Sequence, residues 1–294
     1  MNSVFNHLIR PTTILKRLLI SGMALSLLTL SAQAATVSVS NYPMFLLSEA
    51  VTEGAPSANR ILQAGDVGHH GSVSPSDMKA IKDSKFVVWF GPVLENSLTG
   101  SLKNAPNAIA MFEFDAFNRY PLRDVKGEAI EGTLDPHIWL DPENAKAITR
   151  ALAVIHSHAN PEYTSTYQAN VKKFAERMDK AVADVQKGTQ ENRPYWAYHD
   201  AYQYIEKAAH IKLAGSLSPD HHISPKASQL LWLNKNRPVK QMCMVNQGTV
   251  SKGLLAKLQP VNTTIQVEDM SNNSKDFISS WQTMAQQINK CVAQ

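Results

Sequence analysis

The chain has 294 residues, 29 Lys and Arg against 25 Asp and Glu, and a formal charge of +4. Three of the cations lie near the N-terminus, so the remainder is close to neutral; with no Lys/Arg run there is no nucleic-acid footprint. Beyond that N-terminal stretch the chain exceeds the usual size of one hydrophobic core, which predicts two lobes.

The first 34 residues read as a signal peptide. Arg10, Lys16 and Arg17 precede an uncharged apolar run from Leu18 to Leu30, and small residues Ala32 and Ala34 follow at the positions a signal peptidase requires. The run has 13 residues, against roughly 20 for a membrane span. Cleavage after Ala34 is expected, with no cysteine there to carry a lipid anchor. The mature chain is expected to be soluble, without a membrane anchor, and periplasmic.

After the signal, short apolar segments alternate with helix-like ones. Strands are expected at Ala35 to Val39, Arg60 to Gln63, Phe86 to Phe90 and Ile109 to Phe114, with helices at Pro43 to Thr52 and Pro75 to Asp83. The second helix carries its own start signal: Ser74 as cap, Pro75 in the first turn, Asp77 near the positive end. Such alternation predicts a parallel α/β sheet.

From Asp141 the pattern turns helical, first to about His158. A second helix runs from about Pro161 to Lys187, its apolar positions from Tyr163 through Phe174 and Met178 to Val185 stepping by three or four. At about 1.5 Å per residue it is roughly 40 Å long, the height of a domain. A second βα series follows: Tyr195 to Tyr198, Ile211 to Ser216, Gln241 to Val245 and Thr264 to Val267. No catalytic signature such as HExxH, GxSxG or a Walker loop is present. The two cysteines, Cys243 and Cys291, would be unrelated thiols in a cytosolic protein, but an exported chain favours pairing them. That bridge would close a loop of about 48 residues, worth roughly 4 kcal/mol.

The chemistry gathers where the strands end. His69 and His70 lie in a Gly-flanked loop after the second strand, His137 follows Asp135-Pro136, His199 closes an aromatic strand, and Asp269 follows the last strand. Ligands of open parallel sheets collect beyond the carboxyl ends of the strands. Three imidazoles suit zinc and leave one position for a carboxylate or water, the arrangement of a catalytic or releasable metal. Glu95, Asp135 and Asp200 are candidate bases beside a zinc-bound water, although Asp200, next to His199, reads rather as orienting backbone or accepting a supporting hydrogen bond. The doublet His221-His222 is either a mobile flap approaching the metal or a solvated turn. His156 and His158, two apart on a helix, read as surface residues, and His210 as structural.

Four motifs in order, Gly65 to Asp77, Val87 to Pro92 with Glu95, Pro136 to Pro142, and His199-Asp200-Ala201-Tyr202 with Tyr204, resemble the periplasmic solute-binding proteins of ABC-type zinc uptake systems, the metal-binding cluster A-I. The resemblance implies an α/β fold of two Rossmann-like lobes with parallel sheets, joined by one long backbone helix, with the metal site in the interlobe cleft. The expected boundaries are 1–34 for the signal, 35–160 for the first lobe, 161–189 for the connecting helix and 190–294 for the second lobe. It further implies a non-catalytic monomeric carrier of Zn2+ that delivers to an inner-membrane ABC permease with its ATPase. By motif the ligands fall on His69, His137 and His199, with Asp269 as fourth and His70, His221 and His222 as alternative or transient ligands; it also supports the Cys243–Cys291 disulfide. Manganese or iron as cargo, and a periplasmic zinc hydrolase, are the competing readings. Three departures stand out: the stretch Asp124 to Thr133 is short and lacks histidine, Asn246-Gln247-Gly248 stands where such relatives carry Glu-Pro-Gln, and the doublets His69-His70 and His221-His222 are unexpected.

Overall fold

The β-branched and aromatic runs form short strands that pair only in parallel, because each returns through a helix. The computed structural model describes residues 36–66, 73–218, 223–271 and 276–294. The first lobe contains β1 (Val37–Val39), α1 (Tyr42–Thr52), β2 (Asn59–Arg60), α2 (Pro75–Asp83), β3 (Phe86–Trp89), α3 (Thr99–Leu102) and β4 (Ala108–Ala110). Two long helices follow, α4 (Pro142–Ala159) and α5 (Thr164–Gln186). The second lobe contains β5 (Arg193–His199), α6 (Glu206–Ala209), β6 (Ile211–Ser218), α7 (Ala227–Lys235), β7 (Met242–Asn246), α8 (Lys252–Ala256), β8 (Val261–Ile265) and α9 (Phe277–Val292). The sheet orders are β2-β1-β3-β4 and β6-β5-β7-β8, so the second lobe repeats the topology of the first.

Local chemistry sets the helix starts. Ser74 and Asp77 form a reciprocal capping box with Pro75 in the first turn of α2. Asp141 caps α4 by accepting from Glu143 N and Asn144 N, and its second oxygen accepts from Asn118 Nδ2 at 3.0 Å. The helix expected from Pro161 begins at Thr164, because Pro161–Tyr163 form a 3-10 turn first. Its face of Tyr167, Phe174, Met178, Ala181 and Val185 is buried as the periodicity requires.

One apolar cluster runs through both lobes. It includes Val39, Phe90, Trp139, Leu152, Phe174, Tyr202, Val245 and Trp281. Polar bonds cross with it: Trp139 Nε1 donates to Glu268 O at 3.0 Å, Trp281 Nε1 to Leu140 O at 2.9 Å, and Tyr204 OH to Asp135 O at 3.1 Å. Residues Ala34–Gln294 form one compact unit. Cys243 on β7 and Cys291 on α9 are disulfide-bonded, tying the last helix to an inner strand. Among the described residues no helix is long and apolar enough to cross a membrane.

His156 corrects a sequence expectation. It is buried, not on the surface, because it follows Leu152 by four residues on the face that α4 turns toward α1. Its Nε2 pairs with Ser48 Oγ at 2.9 Å, and its ring lies 5.5 Å from that of Tyr167. His158 is exposed, as expected. Burial lowers the His156 pKa to about 4, so the folded state holds a neutral ring while the unfolded chain takes up a proton near pH 6.5. The unfolded state therefore binds more protons between these values, and the stability contributed above pH 6.5 is lost as pH falls toward 4. Urea midpoints across this window should show the advantage of wild type over His156→Gln shrinking by up to about 1.4 kcal/mol per pH unit.

Candidate metal centre

Three chain segments deliver ligand-type side chains to one point. His199 is the last residue of β5, in the strand-end position that parallel sheets use for ligands. His137 precedes the 3-10 turn Ile138–Leu140, whose three apolar side chains are fully buried and fix the loop. Glu268 lies three residues beyond β8, its backbone carbonyl pinned by Trp139 Nε1. One ligand atom from each of the three lies within 4.8 Å of the others, and all three residues are buried. His137 Nε2 is 3.7 Å from Glu268 Oε2, and His199 Nδ1 is 4.0 Å from the same oxygen. Donors about 2.0–2.1 Å from a tetrahedral zinc stand roughly 3.4 Å apart, so the two imidazole–carboxylate separations would close by about 0.3 and 0.6 Å.

Asp135 prepares His137 for this role. Its Oδ1 accepts from His137 Nδ1 at 2.7 Å and from the His137 backbone N–H at 3.0 Å. A carboxylate in that place fixes the proton on Nδ1 and turns Nε2 toward the site. Nε2 has no hydrogen-bond partner among the described residues. Burial works to lower the His137 pKa, but the charge and hydrogen bond of Asp135, joined by Glu268, overcome it and raise the pKa to about 10. Without metal the ring therefore holds a proton that a metal must displace.

Asp269 was expected as a possible fourth ligand; the carboxylate that converges with His137 and His199 among the described residues is that of its neighbour Glu268. Asp269 is buried, and its oxygens accept backbone N–H groups from Gly65 at 2.6 Å and Ser271 at 2.9 Å. It thereby ties the first-lobe loop that leads toward His69 to the second lobe. His69, His70, His221 and His222 lie outside the described residues. Cys243 and Cys291 are committed to their bridge.

The other two carboxylates are also occupied away from the site. Glu95 is fully buried and accepts from Phe90 N at 2.7 Å, Gly91 N at 3.2 Å and Asn41 Nδ2 at 2.9 Å, bracing the turn after β3; burial raises its pKa to about 8 despite those bonds. Asp200 does not support His199. It pairs with Arg123, whose Nε and Nη2 lie 2.7 and 2.8 Å from its two oxygens, and whose guanidinium also reaches Glu206. His210 has a structural place: it sits at φ 55° after α6, and its Nδ1 pairs with Thr189 Oγ1 at 2.9 Å.

Residues 37–291 match the family model of the zinc-uptake complex component A, periplasmic (ZnuA). The chain belongs to this family. The high-affinity zinc uptake system protein ZnuA of Brucella abortus (strain 2308) is 25% identical over 243 residues, covering 69% of this chain and 73% of that protein. Among solved structures, the periplasmic zinc-binding protein TroA of Treponema pallidum superposes with a TM-score of 0.71 at 15% identity, over 89% of this chain and all of that one. Fe(III)-bound YtgA of Chlamydia trachomatis superposes with a TM-score of 0.69 at 17% identity, over 88% of this chain and 98% of that one.

The stretches Asp124 to Thr133 and Asn246 to Gly248 each have a structural place. The short stretch from Asp124 to Thr133 folds as a tight hairpin, with Asp124 N donating to Glu128 O and Ile130 N to Leu122 O. It lies on β6, where Ser216 N donates to Val125 O at 3.0 Å. Gly215 makes room: at φ +137° a Cβ there would meet Leu233 and Trp232 side chains at 2.7 and 2.8 Å and Val125 O at 3.2 Å. Gln247, in the second stretch, contacts the site itself, donating from Nε2 to His199 Nδ1 at 2.8 Å and to Glu268 Oε2 at 3.1 Å.

Proposed function

We propose that the chain is a periplasmic carrier, not an enzyme, that captures zinc between its lobes and passes it to an inner-membrane ABC permease with its ATPase. The observation that carries this reading is the convergence of His137, His199 and Glu268 in one buried group within ligand distance. Two imidazoles beside one carboxylate form a donor set that suits zinc, with one further position left for another ligand. His69 is proposed to complete the set from the first lobe, with His70 as its competitor and His221 and His222 as transient ligands; Asp269 anchors the loop before His69. A carrier needs a site that lets go, and three or four neutral and acidic donors without thiolates provide one. The Brucella relative is named for zinc uptake and the Treponema relative for zinc binding, which supports the same cargo.

Elemental analysis of protein purified from the periplasm without added metal tests the cargo. About one zinc per chain is expected for a single site. The carboxylate of Glu268 favours a second reading, an iron or manganese cargo, and the Chlamydia neighbour was solved with Fe(III). Either metal in place of zinc overturns the zinc assignment.

The pH dependence has a definite sign. His137 has a raised pKa in the metal-free state, so metal entry expels its proton at neutral pH. Affinity should weaken as pH falls, by about tenfold per unit for each proton released. Titration calorimetry in buffers of different ionisation enthalpy should count about one proton or more per metal; a buffer-independent heat would contradict the assignment of His137.

A further inference from the structure

The two histidines of the site have opposite partners. His137 Nδ1 faces a carboxylate, an acceptor, which leaves Nε2 available to a metal. His199 Nδ1 faces the amide nitrogen of Gln247, which can only donate. The orientation of that amide is fixed by Glu268: the same atom lies 3.1 Å from Glu268 Oε2, where an amide oxygen would meet a carboxylate oxygen. His199 Nδ1 is therefore the acceptor, and the neutral ring carries its proton on Nε2.

Neither nitrogen of His199 can bind a metal in this arrangement. Coordination through Nδ1 takes the lone pair that Gln247 occupies. Coordination through Nε2 moves the ring proton to Nδ1, which can then no longer accept from an amide N–H. Glu268 Oε2 is contested too, since the oxygen that Gln247 holds is the one nearest both imidazoles. We propose that Gln247 is an affinity-determining residue that stands in for the cation in the metal-free site, its NH2 group bridging the same imidazole and carboxylate that the metal joins. Loading displaces the amide, and its return competes with the metal and speeds release. Gln247 is only partly buried and precedes the exposed Gly248, so the side chain has solvent to swing into.

The inference rests on the zinc-carrier reading, and its test separates the two. Gln247→Met keeps the length and removes the donor; Gln247→Ala removes the side chain. Zinc affinity measured by competition with a chelator should tighten about three- to tenfold in both variants, the worth of one or two displaced hydrogen bonds, and zinc transfer to excess chelator should slow. Unchanged or weaker affinity in either variant overturns the inference. Nitrogen-15 spectra of the imidazoles in the full chain add a measurement that needs no affinity: metal-free His199 should carry its proton on Nε2, and a proton on Nδ1 overturns the inference. A wild-type protein that takes up no zinc overturns the carrier reading as well. Zinc uptake that is lost in His137→Ala but does not tighten in the Gln247 variants overturns this inference alone.

Discussion

Zinc affinity is expected to fall at least a hundredfold, about 2.7 kcal/mol, when His137 is replaced by alanine. The substitution removes the Nε2 that points at Glu268 from 3.7 Å, and it leaves the buried Asp135 without its imidazole partner. Loss of that partner should also cost about 1–3 kcal/mol of stability in the metal-free protein, so affinity and urea midpoint are to be measured on the same samples. Glu268→Gln is the cleaner companion. It keeps the size of the side chain and removes the charge, and it should weaken zinc by more than tenfold. Asp135→Asn, one bond removed from the metal, should cost about 10- to 100-fold. His158→Ala is the appropriate control, since that ring is exposed and pairs with Val154 O; His156, buried against Ser48, is not. An His137→Ala protein that binds zinc as wild type does would remove His137 from the ligand set.

Arg123→Met is expected to be the most damaging single substitution away from the site, at about 3–5 kcal/mol of folding stability. Arg123 reaches from the first-lobe hairpin to Asp200 and Glu206, and all three side chains are largely shielded, with exposures of 13%, 6% and 15%. Removing the guanidinium strands two carboxylates where burial already pushes the Glu206 pKa upward. Tyr195 OH, which donates to Glu206 Oε1 at 2.9 Å, cannot neutralise either charge. The contrast is Lys180→Met: its ion pair with Asp184 is on the surface, with exposures of 76% and 45%, and losing it should cost no more than about 1 kcal/mol. Urea denaturation of the two variants decides the matter, since comparable midpoints would show that the Arg123 network is not a structural strut. Asp200→Asn paired with Arg123→Met should recover part of the lost stability.

Much of the fold was legible in local chemistry. Ser74, Pro75 and Asp77 mark the start of α2, and the spacing from Tyr167 to Val185 marks the buried stripe of α5. The even cysteine count of an exported chain anticipated the Cys243–Cys291 bond. His137 and His199 were picked out because His199 closes a short apolar strand and His137 leads into a short apolar segment. The fourth position was not: Glu268 and Asp269 are adjacent, the strand ends at Ile265, and beyond it the alternation that assigns faces no longer holds. The choice between them is made by tertiary contacts, with Gly65 and Ser271 claiming Asp269 and Gln247 facing Glu268. Asp200 and His156 went astray for the same reason, because their partners Arg123 and Ser48 lie 77 and 108 residues away in sequence. A local motif carries no record of such partners.

The bonds that Trp139, Trp281 and Tyr204 make across the lobes, laid over one continuous core, bear on how a loaded carrier is told from an empty one. A flytrap receptor announces its cargo by snapping shut, and that announcement needs a hinge. Here indole and phenol bonds and the Arg123 strut tie the two lobes together, so a hinge closing of one lobe on the other would have to break them.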